Sequence, residues 1–476
     1  MEGLLDLAEA LLEEYGDEPP RPNFPMPASY KENTPFELME LQPVGDKGKG
    51  WFAKQRIEAG TVLMIAKPVS MVMDWQDPEN AIEEEEDEEE EEEDGEVYVL
   101  SKLSERLLLQ ILKELQHKPE LWTNVLSELF PREDDDLSTL PKWVCNDDTL
   151  FHPIEVELEK LQFRMDDVEA VTSRLPLIIR YNVLSAETSP ELLVHPSPQK
   201  GYSALTGTAL YHWPSFFNHD ATPNVSRYAV GDVMWFVANQ TIAEGQEACI
   251  SYLEHDVLCE SPDRRSLLLG MDFIEPMEIM EDDGQGIERK EGGEQEEDDE
   301  GPDFPVVDIY VQNELMQMDP SERLGSIQEL MEQAMGERRP EDEVIPEDEE
   351  VMDTGSAPWF QCDIQNLRIL QALTLDALGQ HHQAMPVWEL CCKFASEKLP
   401  PHDESLVVMC VQAALCAQCC RLEEQAREFA RKALESHNVL FGGGLRLFRR
   451  RYEREMQLDL RPDSSGADPD TLWPDP

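Results

Sequence analysis

Eight consecutive residues, Phe217-Asn218-His219-Asp220-Ala221-Thr222-Pro223-Asn224, gather side chains able to hold a polar ligand. Amides both donate and accept hydrogen bonds, and an imidazole offers one of each. Glu244-Gly245-Gln246-Glu247 and Ile250-Ser251-Tyr252 follow closely, adding carboxylates and a phenol. Upstream stand Gly48-Lys49-Gly50-Trp51-Phe52-Ala53 and Glu58-Ala59-Gly60. A glycine in such a turn admits close approach of the backbone to a ligand. Each piece alone has an ordinary structural reading. Asn-His is a polar turn held by its own side chains, Glu-Ala-Gly is a hairpin connection, Tyr252 packs at a strand end, and Trp51 and Trp235 are core. Order and spacing together make them a candidate site.

The elements that must position them can be read from periodicity. Residues 1–15 form a short amphipathic helix, with Leu4, Leu5, Leu7, Leu11 and Leu12 on one side, and Pro19 to Pro27 is extended. Between Phe36 and Met73 the pattern predicts strands at 37–41 and 61–65 around a turn from Gly45 to Gly50. Glu83 to Asp94 is a run of twelve acidic residues that cannot bury a core, so a disordered insertion is expected. Helical spacing returns from Leu100 to Phe130 and from Ile154 to Tyr181. Strands then run from near Ala209 to Tyr252, and a short helix follows around Leu267 to Phe273. Met280 to Asp303 is a second acidic stretch and Pro340 to Pro358 a third. From Trp359 to Met456 antiparallel helices are expected. Residues 370–384 and 411–426 look alike there, which is tetratricopeptide-like; a plain helical bundle is the alternative.

Composition restricts the partners. The 476 residues exceed one compact core and imply two or three folded units. No apolar run approaches the ~20 residues that span a bilayer, and the first residues lack a basic start, so an intracellular protein, nuclear and/or cytoplasmic, is expected. A net charge of −62, from 101 acidic against 39 basic residues, argues against direct nucleic-acid contact and against an anionic membrane. It favours a basic, Lys-rich protein partner; solvated acidic loops are the plainer explanation. No signature of oligomeric state is present. Of ten cysteines, six lie between Cys391 and Cys420, where reduced, buried thiols are expected. Cys416, Cys419 and Cys420 lack the second pair of a zinc finger, so no metal site is expected. Arg446, Arg449, Arg450, Arg451 and Arg454 form one basic cluster, read as a solvated helix face or as a dock for an acidic segment.

In order, Gly48-Lys49-Gly50, Asn182-Val183-Leu184, Asn218 to Asn224, Glu244-Gly245-Gln246-Glu247 and Tyr252 resemble the SET-domain family, and within it the SET-and-MYND branch. The resemblance implies an α+β fold: small sheets with a knotted crossing, split by a helical insertion and followed by an all-α tetratricopeptide-like domain. It implies an S-adenosylmethionine-dependent protein-lysine methyltransferase acting on a basic protein, histone or non-histone. By the same resemblance, Lys49, Gly50 and Trp51 approach the cofactor through their backbone. Asn182, Asn218 and His219 hold its amino-acid and adenosine parts, Phe273 packs on its adenine, and Tyr252 lines the transfer channel as the catalytic residue. Asn218 and Asn224 would lock the crossing. Methyl displacement from a sulfonium needs alignment rather than a covalent nucleophile, and a narrow apolar channel disfavours the protonated lysine.

The chain departs from the branch at three places. Asp220-Ala221 replaces Ser-Cys, Ile274-Glu275-Pro276 stands where cysteines follow Phe273, and the MYND zinc finger is missing. A relative lacking that finger is expected, with these parts: 1–35 helix and linker; 36–275 SET domain with an insertion at 75–180; 276–304 acidic linker; 305–460 helical domain with an acidic loop at 340–358; 461–476 tail. A catalytically inactive SET scaffold that binds basic partners stays open as the alternative, and an acidic chaperone-like protein stands behind it.

Overall fold

The structure, a computed structural model, describes residues 35–45, 48–73, 102–132, 135, 168–185, 207–220, 222–230, 233–253, 309–336 and 358–452. Contacts divide the chain into two compact units, with Tyr252 closing the main segment of the first. The fold is α+β, as the sequence predicts: small sheets first, an all-helical region after.

Among the described residues of the first unit, ten strands form three small sheets. One has the order β1 (Met39–Pro43), β2 (Lys49–Ala53), β10 (Glu247–Ile250), β7 (Asn218–His219). The second is β3 (Val62–Ala66), β9 (Val233–Ala238), β8 (Val225–Val230), and the third β4 (Ser70–Met73), β6 (Gly207–Leu210), β5 (Val183–Ser185). Strand β9, VMWFVA, is buried at every residue. That suits a central strand covered on both faces, which reads as a continuous apolar run. Strand β1 starts two residues later than expected, because Pro35–Glu37 form a tight turn in which Leu38 N donates to Pro35 O at 3.0 Å. Helices α1 (Lys102–His117), α2 (Glu120–Asn124) and α3 (Val168–Asn182) complete the unit. On α1, Leu107, Leu108, Ile111, Leu112 and Leu115 repeat at helical spacing, and they join Val171, Leu175, Ile178 and Ile179 of α3 in one core with the strands.

The second unit contains α4 (Ile309–Gln317), α5 (Pro320–Gly336), α6 (Pro358–Ala377), α7 (His381–Lys398), α8 (Glu404–Cys419), α9 (Glu423–Leu440) and α10 (Gly444–Arg451). Helix α8 is apolar nearly all round, the pattern of a helix enclosed by others. Asp403 caps it, accepting from Ser405 N at 2.8 Å. The thiols of Cys391, Cys392, Cys410, Cys416 and Cys420 are buried and reduced. The reading of a solvated basic face fails at Arg451. Its side chain is 1% exposed and paired with Glu404, because α10 turns that side of the helix toward α8. Among the described residues no helix is long and apolar enough to cross a membrane. The acidic runs, residues 1–15 and the segment around Phe273 lie outside the described residues.

Candidate active site

The sheet β1-β2-β10-β7 carries Lys49, Gly50 and Trp51 together with Asn218 and His219. Its pairing of β7 with β10 is parallel, Asn218 opposite Cys249 and His219 opposite Ile250, while β10 runs antiparallel to β2 with Ala248 opposite Trp51. Residues 49–51, 218–219 and 247–250 therefore become neighbours, although the chain separates them widely.

Within this sheet each polar side chain has a defined task. Asn218 Nδ2 donates to Glu247 Oε1 at 2.6 Å and to Lys49 O at 3.4 Å. Gly50 is required beside them. A Cβ there would stand 2.3 Å from Glu247 Oε1, 2.7 Å from Asn218 Nδ2 and 2.9 Å from Val44 Cγ2. Asn224 clamps β10 by its backbone: Nδ2 donates to Glu247 O and Oδ1 accepts from Cys249 N, both at 2.8 Å. Asp220, exposed, accepts from Thr222 N at 2.7 Å and from Thr222 Oγ1 at 2.9 Å. The carboxylate thus closes its own local turn.

His219 and Tyr252 meet at the end of the sheet. The backbone N–H of Tyr252 donates to His219 Nδ1 at 3.0 Å, and the rings lie 5.5 Å apart. An accepting Nδ1 fixes the tautomer, leaving the ring proton on Nε2. Tyr252 is 41% exposed as a residue, yet its hydroxyl is tucked in and donates to Phe217 O at 3.0 Å. Burial first, then the neighbouring Cys249 and Glu247, push the phenol up to about 12. Near neutral pH it therefore carries its proton and acts through hydrogen bonds.

The remaining predicted residues fall into two groups. Asn182, at the end of α3, is buried, and its Nδ2 donates to Phe130 O and to Ile178 O. Its carbonyl accepts from Ser215 Oγ at 3.3 Å, in the turn Trp213–Phe216 that leads into Asn218. Lys49 reaches over the Phe216 ring, Nζ 5.9 Å from its centroid. Trp51 is fully buried, its Nε1 donating to Trp213 O at 3.0 Å, so the indole belongs to the core and only its backbone faces the sheet partners. Phe273 lies outside the described residues.

Residues 48–253 match the SET domain family. Domains of this family are generally protein-lysine methyltransferases with S-adenosylmethionine as methyl donor. No curated protein matches the chain.

Two residues with evident tasks were not singled out from the SET sequence. Glu247 was read only as part of a turn, whereas its carboxylate orients Asn218. Arg132, from the insertion, places Nη2 3.2 Å from where a Gly48 Cβ would sit, bringing a guanidinium to the first turn. A carboxylate one residue into a strand and an arginine beyond a long insertion carry no spacing signal that would have marked them.

The donor set fits the methionine end of the cofactor. Both Asn182 and Asn218 spend their Nδ2 on protein acceptors. Among the described residues neither Oδ1 accepts a hydrogen bond. Each amide is thereby fixed with its oxygen available, which suits an ammonium group. The guanidinium of Arg132 suits a carboxylate.

Proposed function

We propose that this chain is an S-adenosylmethionine-dependent protein-lysine N-methyltransferase acting on a basic protein. The observation that carries the reading is the fixed orientation of Asn218, with its amide nitrogen held by Glu247 and Lys49 and its oxygen left to a ligand. When bound, the cofactor supplies an electrophilic methyl group on a sulfonium. Asn182 and Asn218 would accept from its ammonium group, Arg132 would pair with its carboxylate, and the backbone of Lys49 and Gly50 would line its path. Tyr252 stays neutral, donates to Phe217 O, and offers its oxygen's lone pairs to an incoming amine. Such a hydroxyl orients the amine's lone pair along the line of displacement. The net charge of −62 favours a Lys-rich substrate, histone or non-histone.

The finer placement is a SET-and-MYND relative without the MYND finger, with domains at 36–275 and 305–460. Residues 370–384 and 411–426 span the end of one helix and the start of the next, α6 to α7 and α8 to α9, which supports the tetratricopeptide-like assignment. A nuclear or cytoplasmic location accords with the absence, among described residues, of a membrane-crossing helix. The inactive-scaffold alternative draws on Asp220 and on the missing cysteines after Phe273; the Asp220 carboxylate is occupied in its own turn.

The test is calorimetric titration of the purified chain with S-adenosylmethionine, beside an Asn218→Ala/His219→Ala variant whose folding is checked by circular dichroism. Saturable binding lost in the variant is the expected result. A folded wild type that binds nothing would leave a SET-shaped scaffold.

A further inference from the structure

The second unit brings together three side chains that the SET chemistry does not use. Asp376 lies in the last turn of α6, His381 is the first residue of α7, and Cys416 lies in the last turn of α8. One possible ligand atom from each lies within 4.8 Å of the other two. Gly379, at φ +71°, reverses the chain between α6 and α7. That turn returns His381 onto Asp376, with Nδ1 2.8 Å from Oδ1. Cys416 enters from a third helix, its Sγ 3.3 Å from the His381 carbonyl.

The surroundings are those of a coordination site. Asp376 is 7% exposed and Cys416 2%. Among the described residues the carboxylate has no Lys or Arg partner; it holds His381 Nδ1 and the Trp388 Nε1–H, the latter 2.7 Å from Oδ2. A buried carboxylate without a full cationic partner is costly. The Cys416 thiol is pushed up, by burial first and by the Asp376 carboxylate next, so as it stands it is a poor nucleophile. Thiol, imidazole and carboxylate thus converge from three elements on one buried point.

We propose that Asp376, His381 and Cys416 form a site for a divalent cation of the zinc class. Thiolate with imidazole selects that class over magnesium or calcium, and three protein ligands leave the fourth tetrahedral position to a water. On binding, the Cys416 thiol releases its proton to solvent and forms a sulfur–metal bond. His381 ligates through Nδ1 and keeps its proton on Nε2. Asp376 ligates through Oδ1, while the Trp388 N–H holds Oδ2, the outer hydrogen bond that orients a metal-bound carboxylate. The site joins α6, α7 and α8. Sequence spacing drew attention only to Cys416 with Cys419 and Cys420, because Asp376 and His381 come from a different helix pair.

Cobalt(II) is the probe. The full chain, stripped with a chelator under reducing conditions, is titrated with cobalt and followed by the thiolate-to-cobalt charge-transfer band, then back-titrated with zinc. One cobalt per chain, displaced by zinc, is expected. Cys416→Ser should reduce the band and Cys392→Ser should leave it intact. His381→Asn, at a half-buried helix start where folding is least at risk, should weaken binding. Trp388→Phe should weaken it about ten- to a hundred-fold. No band in the folded wild type, or a band and affinity unchanged in both Cys416→Ser and His381→Asn, would overturn the proposal and leave a plain hydrogen-bonded network. The readout does not depend on methyl transfer.

Discussion

Asn218 Nδ2 and Glu247 Oε1 lie 2.6 Å apart, across the parallel pairing of β7 with β10. This bond determines which end of the amide faces a ligand. In Glu247→Ala the amide keeps only the longer contact to Lys49 O at 3.4 Å. A hydrogen bond to a charged group contributes about 1.5–3 kcal/mol, so cofactor affinity should fall about tenfold. Glu247→Gln should restore part of it. Calorimetry on both variants measures the difference.

Gly50→Ala inserts a Cβ that meets Glu247 Oε1 at 2.3 Å and Asn218 Nδ2 at 2.7 Å. Overpacking of this kind costs about 1–3 kcal/mol. Thermal unfolding should show a lower midpoint, and S-adenosylmethionine binding should weaken more than in Gly45→Ala. At Gly45 an added Cβ meets nothing within 4 Å, although its positive φ carries a backbone penalty of its own.

Tyr252→Phe removes the donor to Phe217 O. Loss of one preorganised polar group in a transfer site costs about 10²–10³ in rate, while cofactor affinity should change by no more than about twofold. The folded-state phenol is raised to about 12, against about 10 in an unfolded chain. Its contribution to stability is therefore complete below about pH 10 and is lost as pH climbs toward 12. Wild type should lose stability more steeply than Tyr252→Phe over that interval in alkaline unfolding.

Asn224→Ala removes both clamps on β10 and leaves the Glu247 carbonyl and the Cys249 N–H without them. Unpaired buried backbone groups cost about 1–3 kcal/mol each, so about 2–6 kcal/mol is expected together. Amide hydrogen exchange should accelerate at Cys249 and its β10 neighbours. Asn224→Asp keeps the acceptor and should fall between the two.

His437 is buried among Phe448, Tyr452 and Arg451. Burial, then the Arg451 charge, holds it well below the usual histidine range. A lowered folded-state pKa means the unfolded chain takes up more protons below about pH 6.5. Stability from this group is thus present above that pH and lost as pH falls. Circular dichroism across mild acid should show the helical signal decline in the wild type and a flatter response in His437→Leu.

Much of the SET region was legible because its side-chain types are tied to short elements. Asn218, His219 and Tyr252 fall on or beside strands that alternation predicts, and the sheet brings them together. What stayed hidden depends on long-range pairing. Asn182 finds Phe130 O fifty-two positions away, and Glu247 meets Asn218 only because β10 runs parallel to β7. Trp51 sits in the predicted motif, yet its indole is sealed by Trp213, a contact set by packing rather than spacing. Arg451 was read as solvated since basic residues cluster around it; the buried pairing with Glu404 comes from the fold of the last helix. The Asp376, His381 and Cys416 cluster joins residues up to forty positions apart, beyond any local spacing rule.

The sheet order β1-β2-β10-β7 also bears on how the chain is born. Strand β2 ends at Ala53, and the strand that covers its edge does not begin until Glu247. At ~5–20 residues per second, a ribosome takes roughly ten to forty seconds to deliver that partner. Until then the hairpin of β1 and β2 offers a bare hydrogen-bonding edge, the kind that recruits stray strands. The nascent chain crosses its acidic run during this wait, so a strongly negative segment separates the waiting hairpin, together with β3 and β4, from the strands made after it.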